Sequence, residues 1–266
     1  MPTYRFVLEY AGTRYSGWQE QKNATTVAGE LRRALEACVG PVTEIGGAGR
    51  TDAGVHALAQ VAHVKLPVDR DPARLLREVN ERLPADVNVL AISRADDRFH
   101  ARHHAESRSY VYQVSRRRTA FGKRHVWWVD EPLDVDAMRR AAAACVGEHD
   151  FVLFCDRPQD QPGTHVRVDR AEVVEHGSLV LLRFEASHFL WRMVRRLVGA
   201  IVRVGRGELT VDEFSSLVAA RTLPGKRGDV AEWTAPASGL HLERVRYPGD
   251  PPLGPLVPAF PIDRDS

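Results

Sequence analysis

The periodic segments of this chain run strand–helix–strand–strand–helix–strand and then repeat that order, which confines it to a pair of α+β units. Tyr4, Phe6, Leu8 and Tyr10 alternate along one strand face. Thr25 or Thr26 can then cap a helix whose apolar side is Val27, Leu31, Ala34, Leu35 and Cys38, ended by Gly40-Pro41. Short strands near 42–48 and 59–66, a helix from Pro72 to Leu83 stopped by Pro84, and a strand near 87–92 complete the set. The second set reads as a strand over 109–114, a helix from Asp134 or Asp136 to Gly147, strands near 165–175 and 179–186, and helices over 188–204 and 211–220. A last strand covers 240–246. Each set has the order of a ferredoxin-like βαββαβ half. The expected divisions are 1–104, 105–247 and a tail over 248–266, which holds six prolines and no periodic pattern.

The chain has 266 residues, enough for a large apolar core without staples. No apolar run approaches the length of a membrane span, and no secretory pattern opens the sequence. The three cysteines, Cys38, Cys145 and Cys155, are odd in number and form no CxxC pair, which argues for a reducing cytoplasm and against a zinc finger. Histidines 56, 63, 100, 103 and 104 with Asp52 would be the material of a metal-dependent hydrolase, but they lack a known ligand spacing, so no metal is expected.

Net charge is only +2, yet lysine occurs only at 22, 65, 123 and 226, leaving 33 of the 37 basic residues as arginine. Arginine grips phosphate through a planar fork and stacks on bases. A GC-rich genome gives the same bias, so placement has to decide. At 100° per residue Arg192, Arg195, Arg196, Arg203 and Arg206 share one arc of their helix, and Glu is absent from that arc. This predicts a surface facing a polyanion. Arg98, Arg102, His103, His104 and Arg108, then Arg116-Arg117-Arg118 with Lys123 and Arg124, form further basic groups. Tyr110 and Tyr112 lie between them, a mixture suited to unpaired RNA bases.

The most distinctive stretch is Gly46-Gly47-Ala48-Gly49-Arg50-Thr51-Asp52-Ala53-Gly54-Val55-His56. Small residues beside a strand end let another backbone or a ligand approach closely. On the residues alone, Asp52 is either an Asx-turn former or a functional carboxylate, and both readings stay open.

Gly49 to Ala57 resembles the signature of the TruA family of tRNA pseudouridine synthases. The resemblance runs along nearly the whole chain, through Tyr15-Ser16-Gly17-Trp18-Gln19 with Gln21, Asn80, Leu83-Pro84 and Phe99-His100-Ala101-Arg102. It continues through Arg108, Tyr110, Tyr112, His149-Asp150-Phe151, Phe189, Met193-Val194-Arg195, Thr234-Ala235-Pro236 and Gly239-Leu240. Departures from the family pattern are Ala28, Trp191-Arg192, His103-His104 and Leu153.

The resemblance implies an isomerase that converts uridine to pseudouridine at positions 38–40 in the anticodon arm of tRNA. It implies a cytoplasmic homodimer, without cofactor or membrane. The implied fold is two ferredoxin-like halves that form a continuous, mostly antiparallel sheet, with helices on one side and an RNA-binding cleft. It carries the essential aspartate to Asp52, the tyrosine that packs on the target uracil and helps remove the C5 proton to Tyr110, and the arginine paired with the aspartate to Arg195. Arg50 is implied to hold the RNA with its base turned out, and Leu240 to line the pocket. The helical phase adds Arg192, Arg196 and Arg203 as expected RNA contacts.

Overall fold

A computed structural model of the chain describes residues 1–157, 159, 163–221 and 229–263. The chain clusters into two compact units, Met1–Arg108 with His241–Pro251, and Ser109–Leu240 with Pro252–Ser266. The class expected from the sequence, α+β with short strands and intervening helices, is the class observed.

The first unit follows the expected order: β1 (Thr3–Tyr10), α1 (Val27–Val39), β2 (Glu44–Gly47), β3 (His56–Lys65), α2 (Pro72–Asn80) and β4 (Val87–Ala95). Tyr4, Phe6, Leu8 and Tyr10 are all buried, as the alternation of β1 requires. β1 lies antiparallel between β3 and β4, pairing Phe6 with Ala62 and with Ile92. The other edge of β3 carries β2 at its far end, antiparallel from Glu44↔Lys65 to Gly47↔Ala62, and β10 (Leu240–Arg246) at its start, parallel through His241↔His56. Thr26 is the cap of α1, its hydroxyl accepting from Gly29 N–H, and Asp71 caps α2 with Pro72 in the first turn.

The second unit holds β5 (Ser107–Ser115), β6 (Trp127–Trp128), α3 (Val135–Ala143), β7 (Gly147–Asp150), β8 (His165–His176), β9 (Leu179–Ala186), α4 (Met193–Gly205) and α5 (Val211–Val218). Its strand order is β5-β9-β8-β7, with β6 parallel on β5. β6 and β7 are two and four residues long, too short for a periodic signal. α3 ends four residues before the expected Gly147, whose φ of +113° starts β7 instead. α4 starts at Met193 rather than 188, because Arg192 sits at φ +60°. The Pro-rich tail is docked without regular structure: Leu256 and Ile262 pack on Val126, Leu179 and Leu181. Buried Arg183 donates to the carbonyls of Gly254 and Pro255 at 2.9 and 3.1 Å while pairing with Glu172 at 3.0 Å. No helix is long and apolar enough to cross a membrane among the described residues.

Candidate active site

The Asp52 loop joins β2 to β3 and is fixed from several sides within the first unit. Its start is tied to the sheet by Ala48 N–H on Val61 O at 2.8 Å. The Ala48 carbonyl accepts from Arg108 Nε and Nη2 at 3.2 and 2.9 Å. Gln60, buried in β3, donates to Gly49 O at 2.8 Å and to the Tyr10 hydroxyl at 3.4 Å. Tyr10 and Thr51 share a hydroxyl–hydroxyl bond of 2.8 Å. Burial pushes the Tyr10 phenol up to about 12, so at neutral pH it stays a neutral donor. Thr51 O accepts from Trp18 N–H at 3.1 Å, and Gly54 N–H donates to Tyr15 O at 3.2 Å.

These contacts explain the small residues. A Cβ on Gly12 would stand 1.8 Å from Val55 O. One on Gly17, which sits at φ +93°, would stand 2.5 Å from Thr51 O. The loop therefore presses against the turn that follows β1, and Asp52 lies on a backbone held by those contacts. Asp52 is half-buried between buried Thr51 and exposed Ala53, and Arg50 is exposed. Val55 N–H closes a turn on Asp52 O at 3.1 Å. The backbone of Asp52 thus closes a local turn, and the residue is half-exposed rather than sealed in.

Tyr110, Arg195, Leu240 and the remaining arginines belong to the second unit. Tyr110 is 7% exposed on β5, and Phe189 meets its ring edge-on at 5.2 Å between centroids. Tyr112, two positions on, is completely buried, and its hydroxyl donates to Pro236 O at 2.8 Å. Burial raises its phenol well above the usual range. The two tyrosines are therefore distinguished by burial: Tyr112 is bound into the core, and Tyr110 reaches its edge. Arg195 Nε donates to Ala235 O at 2.7 Å, while Ala235 N–H donates to Arg195 O at 3.1 Å. That reciprocal pair locks α4 to the segment before Leu240, which is itself buried at the start of β10.

The expected arginine face of α4 needs correction. Arg196 is only 6% exposed: it donates to Cys155 O and pairs with Asp156 at 3.4 Å. Arg203 pairs with Glu208 at 2.6 Å and lies over the Trp233 ring at 5.0 Å. Arg206 pairs with Glu131 at 2.9 Å. The helix itself lacks acids on that arc, but segments before and after it supply them, which helical phase cannot reveal. Arg192 pairs with Asp156 at 3.1 Å yet remains exposed beside Trp191.

Glu44, His63 and His100 bring possible ligand atoms within 4.8 Å of one another. Their hydrogen bonds oppose a metal. His63 Nδ1 accepts Ala101 N–H at 3.1 Å, so its Nε2 carries the proton that faces Glu44 Oε1 at 3.1 Å. His100 Nδ1 accepts from Arg102 and His103 N–H at 3.2 and 3.4 Å. A metal-bound imidazole instead donates through its second nitrogen. The cluster is a hydrogen-bonded brace for residues 100–104.

Tyr10, Trp18 and Arg108 are named in the sequence reading but not as supports of this loop, and Gln60 is passed over altogether. Gln60 carried a signal: it is a polar side chain in the middle of an apolar strand, which is stable only where its amide is bonded.

Comparison with known proteins adds three relatives and one family. The sequence pattern described as tRNA pseudouridine synthase matches residues 7–104 and 141–248. Proteins named tRNA pseudouridine synthase A are similar to this chain in Nitrobacter hamburgensis (40% identical over 93% of this chain and 100% of that protein) and Rhodopseudomonas palustris (39%, over 93% and 100%). The Maricaulis maris protein of the same name is 40% identical over 94% of this chain and 99% of its own.

Proposed function

Because the chain belongs to the tRNA pseudouridine synthase family, we propose that it isomerises uridine to pseudouridine in the anticodon stem-loop of tRNA, with Asp52 as the catalytic group. The observation that carries the assignment to Asp52 is the loop itself: a family-matched segment whose backbone is pinned by Tyr10, Gln60, Trp18 and Arg108 while one carboxylate is left half-exposed. A reacting group held on an immobile support pays little reorganisation during reaction.

The reaction breaks the C1′–N1 glycosidic bond, turns the uracil, and joins C5 to C1′; the C5 proton is lost and N1 gains one. No electrons are exchanged and no group leaves the nucleotide, so the chemical balance requires no cofactor. An ionised carboxylate serves as nucleophile or base. Arg195 is the cation assigned to keep it ionised, Tyr110 the aromatic packed on the uracil, and Leu240 a pocket wall. The base must leave its stack to be reached, a step in which Arg50, exposed two residues before Asp52, is proposed to grip the backbone. Arg192, beside Trp191, remains a proposed RNA contact, whereas Arg196 and Arg203 spend their charge internally. The proposal includes a cytoplasmic homodimer.

Incubating unmodified tRNA transcripts with the protein and mapping pseudouridine nucleotide by nucleotide tests the reading. Product is expected in the anticodon arm. Asp52→Asn should retain tRNA affinity and make no product; residual turnover within about tenfold, roughly 1.4 kcal/mol of barrier, would refute the role of Asp52.

A further inference from the structure

The loop between β5 and β6 carries five basic residues, and they are not equivalent. Arg116 pairs with Glu175 at 2.6 Å and Arg117 with Asp263 at 3.1 Å. Arg118 and Lys123 form no ion pair among the described residues, and both side chains are exposed. The Arg118 guanidinium lies over the Trp128 ring, 5.7 Å from its centroid, and Trp128 is itself 42% exposed. Phe121, at the tip, is 91% exposed.

A tip so exposed is usually mobile, but this one is built. Ser115 Oγ donates to Arg117 O at 2.6 Å, Thr119 Oγ1 accepts Gly122 N–H at 3.1 Å, and His125 N–H closes on Gly122 O at 2.8 Å. The tail backs it: Ile262 packs where a Cβ on Gly122 would fall. Arg118, Lys123, Val126 and Trp128, with Thr119 and Ala120, line a cavity of about 520 Å³, and no carboxylate lines it among the described residues. That volume lies in the range of about 300–1,000 Å³ typical of small-ligand sites.

We propose that this cavity binds one unpaired nucleotide of the RNA substrate, its base against Trp128 and its phosphate on Arg118 and Lys123, with the exposed ring of Phe121, next to the lining residue Ala120, as a second stacking surface at its rim. Two uncompensated cations beside flat apolar rings complement the two parts of a nucleotide, and rings accept any base because every base has a π-face. An acidic peptide would use the cations but leave the rings bare. The inference rests on the proposed tRNA substrate and adds a second contact, on the second unit alone, that reads no sequence and holds the RNA while the target uridine is processed.

The test compares wild type, Arg118→Ala/Lys123→Ala and Phe121→Ala, all changes at exposed positions, with thermal unfolding to verify folding. Binding of an unmodified tRNA transcript is titrated at several salt concentrations, and turnover is measured on the same preparations. The double variant should bind roughly tenfold or more weakly and flatten the plot of log affinity against log salt by about 0.7–0.9, the value for one neutralised phosphate. Phe121→Ala should weaken binding roughly fivefold or more with the slope unchanged, the signature of lost stacking. Both should raise KM and leave kcat at saturating tRNA as in wild type. Unchanged affinity and slope in both would overturn the proposal. So would a Phe121→Ala variant that turns a dimer into a monomer by sedimentation with RNA affinity per subunit retained, since the patch would then belong to a second copy of the chain. If wild type binds tRNA and the variants respond as stated but no pseudouridine forms, the nucleotide site stands and the proposed activity falls.

Discussion

Replacing Tyr10 by phenylalanine removes one oxygen from the hydrogen-bonded support of the Asp52 loop and almost nothing else. That oxygen lies 2.8 Å from Thr51 Oγ1 and 3.4 Å from Gln60 Nε2, and all three residues are buried. Gln60 keeps its bond to Gly49 O, so the main loss falls on the Thr51 hydroxyl, left dry without this partner. A buried polar group stripped of its partner costs about 1–3 kcal/mol. For a chain of this size that is a fall in Tm of roughly 2–10 °C. Thr51→Val removes the same bond from the other side, so the two changes should not add: a double-mutant cycle should return a coupling of about 0.5–3 kcal/mol. Because Thr51 precedes Asp52, kcat should fall in single-turnover assays while tRNA affinity is kept; a misplacement of about 1 Å can cost on the order of 10²-fold. An alkaline titration gives an independent reading. Burial pushes the Tyr10 phenol up to about 12, against about 10 in the unfolded chain. Below pH 10 both states hold the proton and the contribution to stability is full. Between pH 10 and 12 only the unfolded chain releases it, so stability falls by about 1.4 kcal/mol per pH unit from this group. Tyr10→Phe should remove that part of the decline. Additive single effects, or an alkaline limb unchanged in the variant, would refute the account of the loop.

Tyr110→Phe should lose on the order of 10²-fold or more in single turnover if its hydroxyl helps move the C5 proton, whereas Tyr112→Phe should keep turnover and cost about 1 kcal/mol for the bond to Pro236 O; near-full turnover by Tyr110→Phe would leave that ring as packing alone. Gly17→Ala meets both a positive φ and Thr51 O at 2.5 Å, while Gly40→Ala meets the positive φ and open space, so chemical denaturation should show the first to be the costlier by a clear margin, with equal losses refuting the steric part. Arg203→Gln should change tRNA affinity by less than about threefold and leave its salt slope alone, because Glu208 already neutralises that charge; a slope reduced by about one would show it engaged with phosphate.

Regular elements with a period and a cap were legible in the sequence. Thr26 and Asp71 open helices where capping chemistry says they should, and the alternation of β1 gives its buried face directly. The Asp52 loop was legible as a cluster of small residues and, through its resemblance, as a candidate site. What held it was not, because Tyr10, Gln60 and Arg108 reach it from positions 41, 11 and 60 residues away along the chain. The arginine arc of α4 shows the same limit from the other side. Helical phase grouped Arg192, Arg196, Arg203 and Arg206, but Arg192 and Arg206 lie outside α4, and whether a charge faces solvent depends on acids the helix does not contain, here Asp156, Glu208 and Glu131. The start of α4 was misjudged because a non-glycine residue, Arg192, takes a left-handed conformation that no local rule assigns to arginine.

The two units are interleaved along the chain: the first borrows His241–Pro251 from beyond the second, and the second borrows Pro252–Ser266 from beyond that. A protein emerging from the ribosome usually completes its N-terminal domain first. Here β3 waits for His241 and Leu242 on its edge, and the cation of Arg183 waits for the carbonyls of Gly254 and Pro255. The first unit therefore cannot complete its sheet edge until residues 241–242 have been made, nor the second its Arg183 contacts until 254–255 have been made, so a ribosome stalled before residue 240 would display a first unit whose β3 edge is still open.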